Sequence, residues 1–461
     1  MYGQVFFDEA LLKKYDVNAP RYTSYPAVPH FKERFTTSSY IENVVETNGQ
    51  FIPRPLSLYL HIPFCDSICY YCACNKVITK DHGRAESYLD YLMREISLQS
   101  ALFDKDRIVE QMHWGGGTPT FIDDQQIVVL MEHLHKSFNF AKDDEGEFSI
   151  EIDPRAVETD TIGLLRGVGF NRLSIGIQDL DKRVQRAVNR EQTERETFMI
   201  MEAAREYGFN SISVDLMYGL PHQTTTSFRD TLERVISAEP DRISLFNYAH
   251  MPEIFKPQRR INVEDLPSPE MKLAILKTSI EYLLSAGYVY IGMDHFARPY
   301  DELASAQQEG RLHRNFQGYS THSGCDLVAM GLTAIGKIGD NYNQNYRELD
   351  SYYAAIDDGQ LPIYKGLKLS LDDKIRQTVI QTLICQFELD FSAVEKLYDI
   401  KFFEYFSKEK SKLEEMAEDG LLSLSDSNIQ VRPEGRLLIR NICTVFDAYL
   451  NSNKQQYSKA I

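Results

Sequence analysis

Three cysteines stand at CxxxCxxC spacing in the run HIPFCDSICYYCACNK: Cys65, Cys69 and Cys72. Thiolates this close together bind a soft metal centre, and two kinds compete. Iron–sulfur clusters are held by cysteine thiolates, and three ligands leave one iron free for a further partner. Structural zinc wants four tetrahedral ligands, for which Cys74 or His61 is at hand. Both centres use soft thiolate donors, so the spacing alone leaves both open. Tyr70 and Tyr71, between the ligands, suit a site that stacks a ring or excludes water, and equally suit plain packing. The remaining cysteines, Cys325, Cys385 and Cys443, are scattered and are expected to be inert core thiols. An odd total of seven argues against a disulfide framework.

A second run, HWGGGTPTF at 113–121, places three glycines at the end of an apolar stretch. Glycine lets backbone approach a ligand closely. A phosphate loop would need GxxxxGK[ST], and no lysine follows here. Three further polar residues close other apolar runs: Glu151 in SIEIDPR, Gln178 in LSIGIQD and Asp215 in ISVDLMYGLP. Acids inside apolar β runs are costly without partners, and several on successive strands beside a cysteine loop make a site. An acid reaching a ribose hydroxyl is one familiar use. Arg190, in VNREQ, can pair with such a carboxylate.

The elements that position these residues follow from apolar patterning. Short β-like runs at 57–62, 109–114, 148–153, 172–177, 211–216 and 242–248 alternate with helical stretches at 84–103, 123–137, 160–168, 181–188, 194–207 and 225–238. A further strand is expected at 288–293. Near-continuous apolar strands alternating with helices mean a parallel sheet buried on both faces. Six units are fewer than the eight of a closed barrel. The expected fold is therefore α/β, a partial (β/α)6 TIM-like barrel with its chemistry at the C-terminal strand ends, and with an open side. Beyond 366 the sequence turns helical (371–387, 391–397, 401–419 and 433–450), with a hairpin-like segment at 421–431. The expected organisation is an N-terminal covering segment over 1–56, the barrel with extensions over 57–365, and a mostly helical, winged-helix-like C-terminal domain over 366–461.

Composition is that of an ordinary globular chain, 43% hydrophobic and 25% charged, with net charge −17. That acidity argues against non-specific nucleic-acid binding, which needs basic surface. No apolar run approaches the ~20 residues of a membrane span, and the N-terminus shows no signal-peptide pattern. A cytoplasmic location is expected, with no membrane and no nucleic-acid partner.

Taken together these residues resemble the radical SAM superfamily, whose members act on S-adenosylmethionine (SAM), and most closely its oxygen-independent coproporphyrinogen III oxidase family. The likeness rests on PRYTSYP (20–26), HIPFC (61–65), CACNK (72–76), HWGGGTPT (113–120), EIDPR (151–155), VNREQ (188–192), DLMYGLP (215–221), FNYAH (246–250), MDHFARP (293–299), HRNFQGY (313–319) and GRLLIRNIC (435–443). It runs from about residue 8 to the C-terminus.

The resemblance implies oxidative decarboxylation of two propionates of coproporphyrinogen III to vinyls, giving protoporphyrinogen IX, by a 5′-deoxyadenosyl radical made from SAM at a [4Fe–4S] cluster. It implies that Cys65, Cys69 and Cys72 hold the cluster and that two SAM molecules share the site. One would chelate the free iron and contact Tyr59, Gly116, Glu151 and Ile335. The other would contact Tyr71, Gly117, Thr118, Gln178, Arg190, Asp215 and Ala249. Cys74, the family's extra cysteine, would lie near the substrate, and with Tyr59 it is a candidate catalytic residue. The chain departs from the family at Ala73, where glycine is usual, and at Tyr71, where phenylalanine is frequent. Arginines should position the substrate carboxylates, and Arg21, Arg298 and Arg314 are the candidates. An electron donor of flavodoxin or ferredoxin type is implied, and a monomer is expected; the sequence names no terminal electron acceptor. Rival readings are a haem-degrading methyltransferase of the same superfamily, a haem-binding chaperone, against which Cys74 speaks, and a zinc-structured interaction protein.

Overall fold

The computed structural model describes residues 3–450 apart from 16 and 323; residues 451–461 of the expected C-terminal domain lie outside the described residues. The chain forms two compact units. One comprises residues 31–279 and 324–368, the other 1–30, 280–323 and 369–461.

In the first unit all six expected strands are present: β1 (Leu56–Ile62), β2 (Ile108–Gly116), β3 (Glu147–Ile152), β4 (Arg172–Gln178), β5 (Ser211–Tyr218) and β6 (Arg242–Asn247). They pair in parallel in the order β6-β5-β4-β3-β2-β1. The helices between them are α1 (Gly83–Ser100), α2 (Asp124–Ser137), α3 (Thr159–Gly167), α4 (Lys182–Ala187), α5 (Glu194–Glu206) and α6 (Thr225–Ser237). Several start where a side chain can take up the free N–H groups of a first turn. Asp123, Thr193 and Thr224 each form reciprocal capping boxes, with Gln126, Glu196 and Ser227.

The strands are not apolar on both faces. Leu58, Leu60, Trp114, Ile150, Ile175, Val214 and Leu216 are fully buried. Between them Tyr59, His113, Ser149, Glu151, Ser174, Gly176 and Asp215 are less buried. Side chains alternate along a strand, so the aliphatic set faces the helices and the small or polar set faces inward. Register aligns that inner layer across strands: Tyr59 lies opposite His113, His113 opposite Ser149, Glu151 opposite Ser174, and Asp215 opposite Ser244.

The sheet continues past β1 with strands the sequence reading did not separate. Strand β7 (Asp326–Gly331) runs parallel to β1, followed by antiparallel β8 (Ile335–Ile338), β9 (Asn341–Asn345) and β10 (Ile363–Lys368). A buried ion pair, Arg107 to Asp326 at 2.6 Å, anchors the start of β7. Its far end is held by Glu95 of α1, which is fully buried. Glu95 accepts from Gly331 N (2.7 Å), Asn345 Nδ2 (2.7 Å) and Tyr352 Oη (2.6 Å).

In the second unit a hairpin pairs Val289–Gly292, the expected extra strand, with His295–Ala297. Helix Leu371–Gln386 packs with the 307–319 region through Gln307 Nε2 to Cys385 O and Tyr319 Oη to Ile384 O. Those contacts join 280–323 to the C-terminal helices, so the units do not follow the three consecutive segments read from sequence. The PRYTSYP segment is buried here at Tyr22 and Tyr25, where Gln377 donates to Tyr25 O and Ala448 N to Tyr25 Oη. The hairpin at 421–431 is present as Leu422–Leu424 with Asn428–Val431, joined by Glu388–Asp390. Helix 391–397 is found as Phe391–Tyr398. The expected helix 401–419 is split into Phe402–Tyr405 and Lys410–Glu418. The expected helix 433–450 is reduced to Ile439–Thr444 after a short 3-10 turn. There Gly435 approaches the Leu421 carbonyl so closely that a Cβ would collide with it.

Candidate active site

The cysteine loop leaves β1 and returns beside itself. Phe64 pairs with Val77 and Cys65 with Ile78, and Val77 N donates to Pro63 O at 2.7 Å. Inside this closed loop Lys76 Nζ donates to the Cys72 and Cys74 carbonyls. From outside, Tyr70 N donates to Val188 O at 2.9 Å and Asn189 Nδ2 to Ile68 O at 2.7 Å. His61 sits at the end of β1 with both ring nitrogens engaged, 3.1 Å from Tyr59 Oη and 3.1 Å from Asn75 O. It is thus not a free metal ligand.

The glycines after β2 answer first to packing. Gly117 N and Thr118 N donate to Ile62 O and Phe64 O, at 2.9 and 2.8 Å. A Cβ on Gly117 would stand 2.6 Å from Phe64 O; one on Gly116, where φ is +126°, would stand 2.7 Å from Ile62 O. Glycine is needed because this loop lies directly against the backbone that carries Cys65. The expected close approach to a ligand is joined by a close approach to the cysteine loop.

All four loop thiols line one cavity of about 280 Å³, near the lower end of the ~300–1,000 Å³ of small-molecule sites. From β2 and the following turn Gly116, Gly117 and Thr118 reach it. Glu151 and Gln178 come from the ends of β3 and β4 and Asp215 from within β5, and Tyr71 and Arg190 line it as well. Tyr59, Ala249 and Ile335 do not line it. Tyr59 is stacked on His113 (6.0 Å between centroids, 15° between planes). His113 Nε2 lies 3.3 Å from Glu151 Oε1, so Tyr59 is tied to the cavity through that pair. Ala249 follows β6, and Ile335 opens β8. Arg21, Arg298 and Arg314 belong to the other unit. Within it Arg21 pairs with Asp294, Arg298 donates to Ala286 O and lies over Tyr288, and Arg314 is buried against Tyr319.

Two site residues escaped the sequence reading although EIDPR was singled out. Asp153 sits between Arg155 (2.6 Å) and Arg190 (3.0 Å). Burial opposes its charge, but the two guanidiniums hold its carboxyl down to about 2. Both arginines also reach Cys69 Sγ at 3.7 Å, and Thr118 Oγ1 reaches Cys65 Sγ at 3.5 Å. Burial pushes the Cys65 thiol up to about 11, against the Thr118 hydroxyl. Cys72 is held below the ordinary thiol range, first by the Cys74 thiol and then, against burial, by the Lys76 charge.

This donor set suits an iron–sulfur cluster bound by three thiolates. Hydroxyl and guanidinium donors aimed at ligand sulfurs offset the charge of an anionic centre and tune it. Two buried polar atoms at the cavity, Gln178 Oε1 and Arg190 Nε, have no hydrogen-bond partner. Buried polar groups are rarely left so, and both atoms belong to residues that line the cavity. Asp215 lines this cavity and has the Ser174 hydroxyl beside it. Burial, with the Glu151 charge adding, pushes it up to about 7. All seven cysteines are free thiols, and no described helix is long and apolar enough to cross a membrane.

Comparison with known proteins agrees with this geometry. Residues 59–235 match the radical SAM superfamily and residues 369–438 the HemN C-terminal domain. The chain is 51% identical over 462 residues to the oxygen-independent coproporphyrinogen III oxidase of Pseudomonas aeruginosa, covering 100% of both. It is 50% identical over 460 residues to that of Escherichia coli, covering 99% of each. The solved structure of E. coli coproporphyrinogen III oxidase (HemN), described as a radical SAM enzyme, matches with a TM-score of 0.92 at 50% identity, over 97% of this chain and 100% of that one.

Proposed function

The chain belongs to the oxygen-independent coproporphyrinogen III oxidase family of the radical SAM superfamily, and from that premise we propose how its residues divide the work. It is an enzyme of haem biosynthesis that oxidatively decarboxylates two propionates of coproporphyrinogen III to vinyls, giving protoporphyrinogen IX, with SAM and a [4Fe–4S] cluster. When bound, the cluster and SAM would supply the one-electron chemistry that removes a propionate β-hydrogen, and the electron given up with CO₂ would pass to an acceptor.

The chain's own part is to hold and orient, since the cofactor carries the hard chemistry. Cys65, Cys69 and Cys72 would hold the cluster, with Thr118 donating to the Cys65 sulfur and Arg155 and Arg190 to the Cys69 sulfur. Two SAM molecules occupy the site. Tyr59, Gly116, Glu151 and Ile335 orient the one at the free iron. Tyr71, Gly117, Thr118, Gln178, Arg190, Asp215 and Ala249 orient the other. The unpartnered Gln178 Oε1 and Arg190 Nε support this second assignment. Asp153 holds Arg190 and Arg155 in place by charge-assisted hydrogen bonds. Cys74 serves the substrate side, and Arg21, Arg298 and Arg314 take the propionates. A flavodoxin- or ferredoxin-type donor feeds the cluster of a cytoplasmic monomer.

The observation that carries the site assignment is one cavity shared by the thiols of a single loop and by acids from two strand ends. The test is anaerobic reconstitution followed by addition of SAM, dithionite and coproporphyrinogen III. Protoporphyrinogen, two CO₂ and two 5′-deoxyadenosines per product are expected. SAM cleavage without vinyl product would overturn the substrate. A cluster-loaded protein that neither cleaves SAM nor forms product would point to haem binding alone.

A further inference from the structure

Gln258 appears in none of the matched motifs, yet it joins two parts of the site that lie far apart in sequence. It sits in the 3-10 turn Lys256–Arg260 and is only 2% exposed. Its Nε2 donates to Tyr71 O at 3.2 Å and to Ala249 O at 3.2 Å, and its Oε1 accepts from Met251 N at 2.5 Å. The surroundings fix which way the amide points. Two backbone carbonyls can only accept and a backbone N–H can only donate, so a flipped amide would lose all three bonds. Both amide hydrogens and the oxygen are thereby used.

The two segments it joins are the cysteine loop, at a point between Cys69 and Cys72, and the stretch following β6. Tyr70 and Tyr71 pack against a buried cluster of Val184, Val188, Leu220, Tyr248 and Ile261, and the Arg260 guanidinium lies 5.4 Å from the Tyr70 ring centre. The turn at 256–260 therefore closes over the outer side of the cysteine loop. Gln258 does not line the cavity, whereas Tyr71 does. Its influence must run through the backbone it grips.

We propose that Gln258 is a positioning residue for the second SAM: it sets the distance between Tyr71 and Ala249, the two contacts that its amide spans. This rests on the two-SAM reading above. The three thiols have other anchors, so the cluster does not depend on Gln258. Partners that orient ligating groups are worth about 10–100-fold in affinity where measured at metal sites, and an effect of about tenfold or more on the second SAM is expected here.

Two variants test it. Gln258→Glu keeps the shape but sets a carboxylate oxygen against two carbonyls; Gln258→Met keeps the bulk without polarity. Iron and sulfide content, labelled-SAM binding at equilibrium, and the electron paramagnetic resonance spectrum of the reduced cluster with and without SAM are read for each. Both variants should load parental iron and keep the SAM-induced spectral change, while the second equivalent of SAM binds at least tenfold more weakly. Two equivalents bound at parental affinity in either variant would overturn the proposal. So would loss of iron or of the SAM-induced spectral change in both, which would make Gln258 a general brace of the loop. If the parent itself binds a single equivalent, the two-SAM reading falls, and this proposal falls with it.

Discussion

Replacing Asp215 by asparagine asks whether this carboxyl is kept for binding at the expense of stability. Asp215 lies in the inner layer of β5, with Ser174 Oγ 3.5 Å from its Oδ2. Burial is the main force pushing it from 3.8 up to about 7; the Glu151 charge adds, while the Ser244 and Ser174 hydroxyls and Arg190 pull the other way. The folded chain thus keeps this proton where the unfolded chain, an ordinary aspartate near pH 4, has released it. With fewer protons bound in the unfolded state, stability falls as pH rises between about 4 and 7, and is level above that window. That rise from 3.8 to about 7, at ~1.4 kcal/mol per tenfold change in proton affinity, sets a ceiling of ~4 kcal/mol. The effective dielectric of a protein site is higher than that of a dry interior, which leaves ~2–4 kcal/mol. Asparagine has nearly the same shape and no charge to bury. D215N should match the parent near pH 4 and exceed it by ~2–4 kcal/mol at pH 8. The assay is urea unfolding of SAM-free protein across that pH range. A variant less stable than the parent at pH 8, or a gap that does not widen with pH, would refute the reasoning.

Two further substitutions probe the scaffold. Gly117→Ala would put a Cβ 2.6 Å from Phe64 O and 2.7 Å from Pro63 O, so the cysteine loop must move; overpacking costs ~1–3 kcal/mol, and a shift approaching 1 Å lowers turnover about 10²-fold. Iron content and product formation check this, and parental values for both would show that the loop yields freely. Glu95→Gln would turn an amide N–H toward groups that all donate to the present carboxylate, at ~1–3 kcal/mol for the bond left unmade. An unchanged urea midpoint would mean that the network rearranges without loss.

The site was legible where chemistry demands rare residue types at tight spacing. Cys65, Cys69 and Cys72 could be read so, and Glu151, Gln178 and Asp215 stood out as polar residues closing apolar runs. Strand existence was plain where an apolar run alternated with a helical stretch, as in RLSIGIQ, whereas DLVAMG was not separated as a strand. What could not be read was neighbourhood. DLVAMG pairs beside β1 from 270 residues away, and no local pattern encodes that. Gln258 is one amide in a polar stretch until two distant carbonyls give it meaning. Asp153 and Arg155 were in view within EIDPR, but their task appears only when Arg190 arrives from beyond β4. The broken helix at 401–419 and the shortened one at 433–450 show the opposite error: the sequence pattern suggested longer helices than the fold keeps.

The pairing of Phe64 with Val77 bears on how the cluster is installed. Closing a loop has an entropic cost that grows with its length, and here the ring is already sewn shut by backbone hydrogen bonds and the His61 clasp. Zinc fingers, by contrast, gather their ligands only as the metal arrives and unravel without it. In this chain backbone hydrogen bonds carry part of that closure, so the span left for bonds to iron is shorter than the full loop.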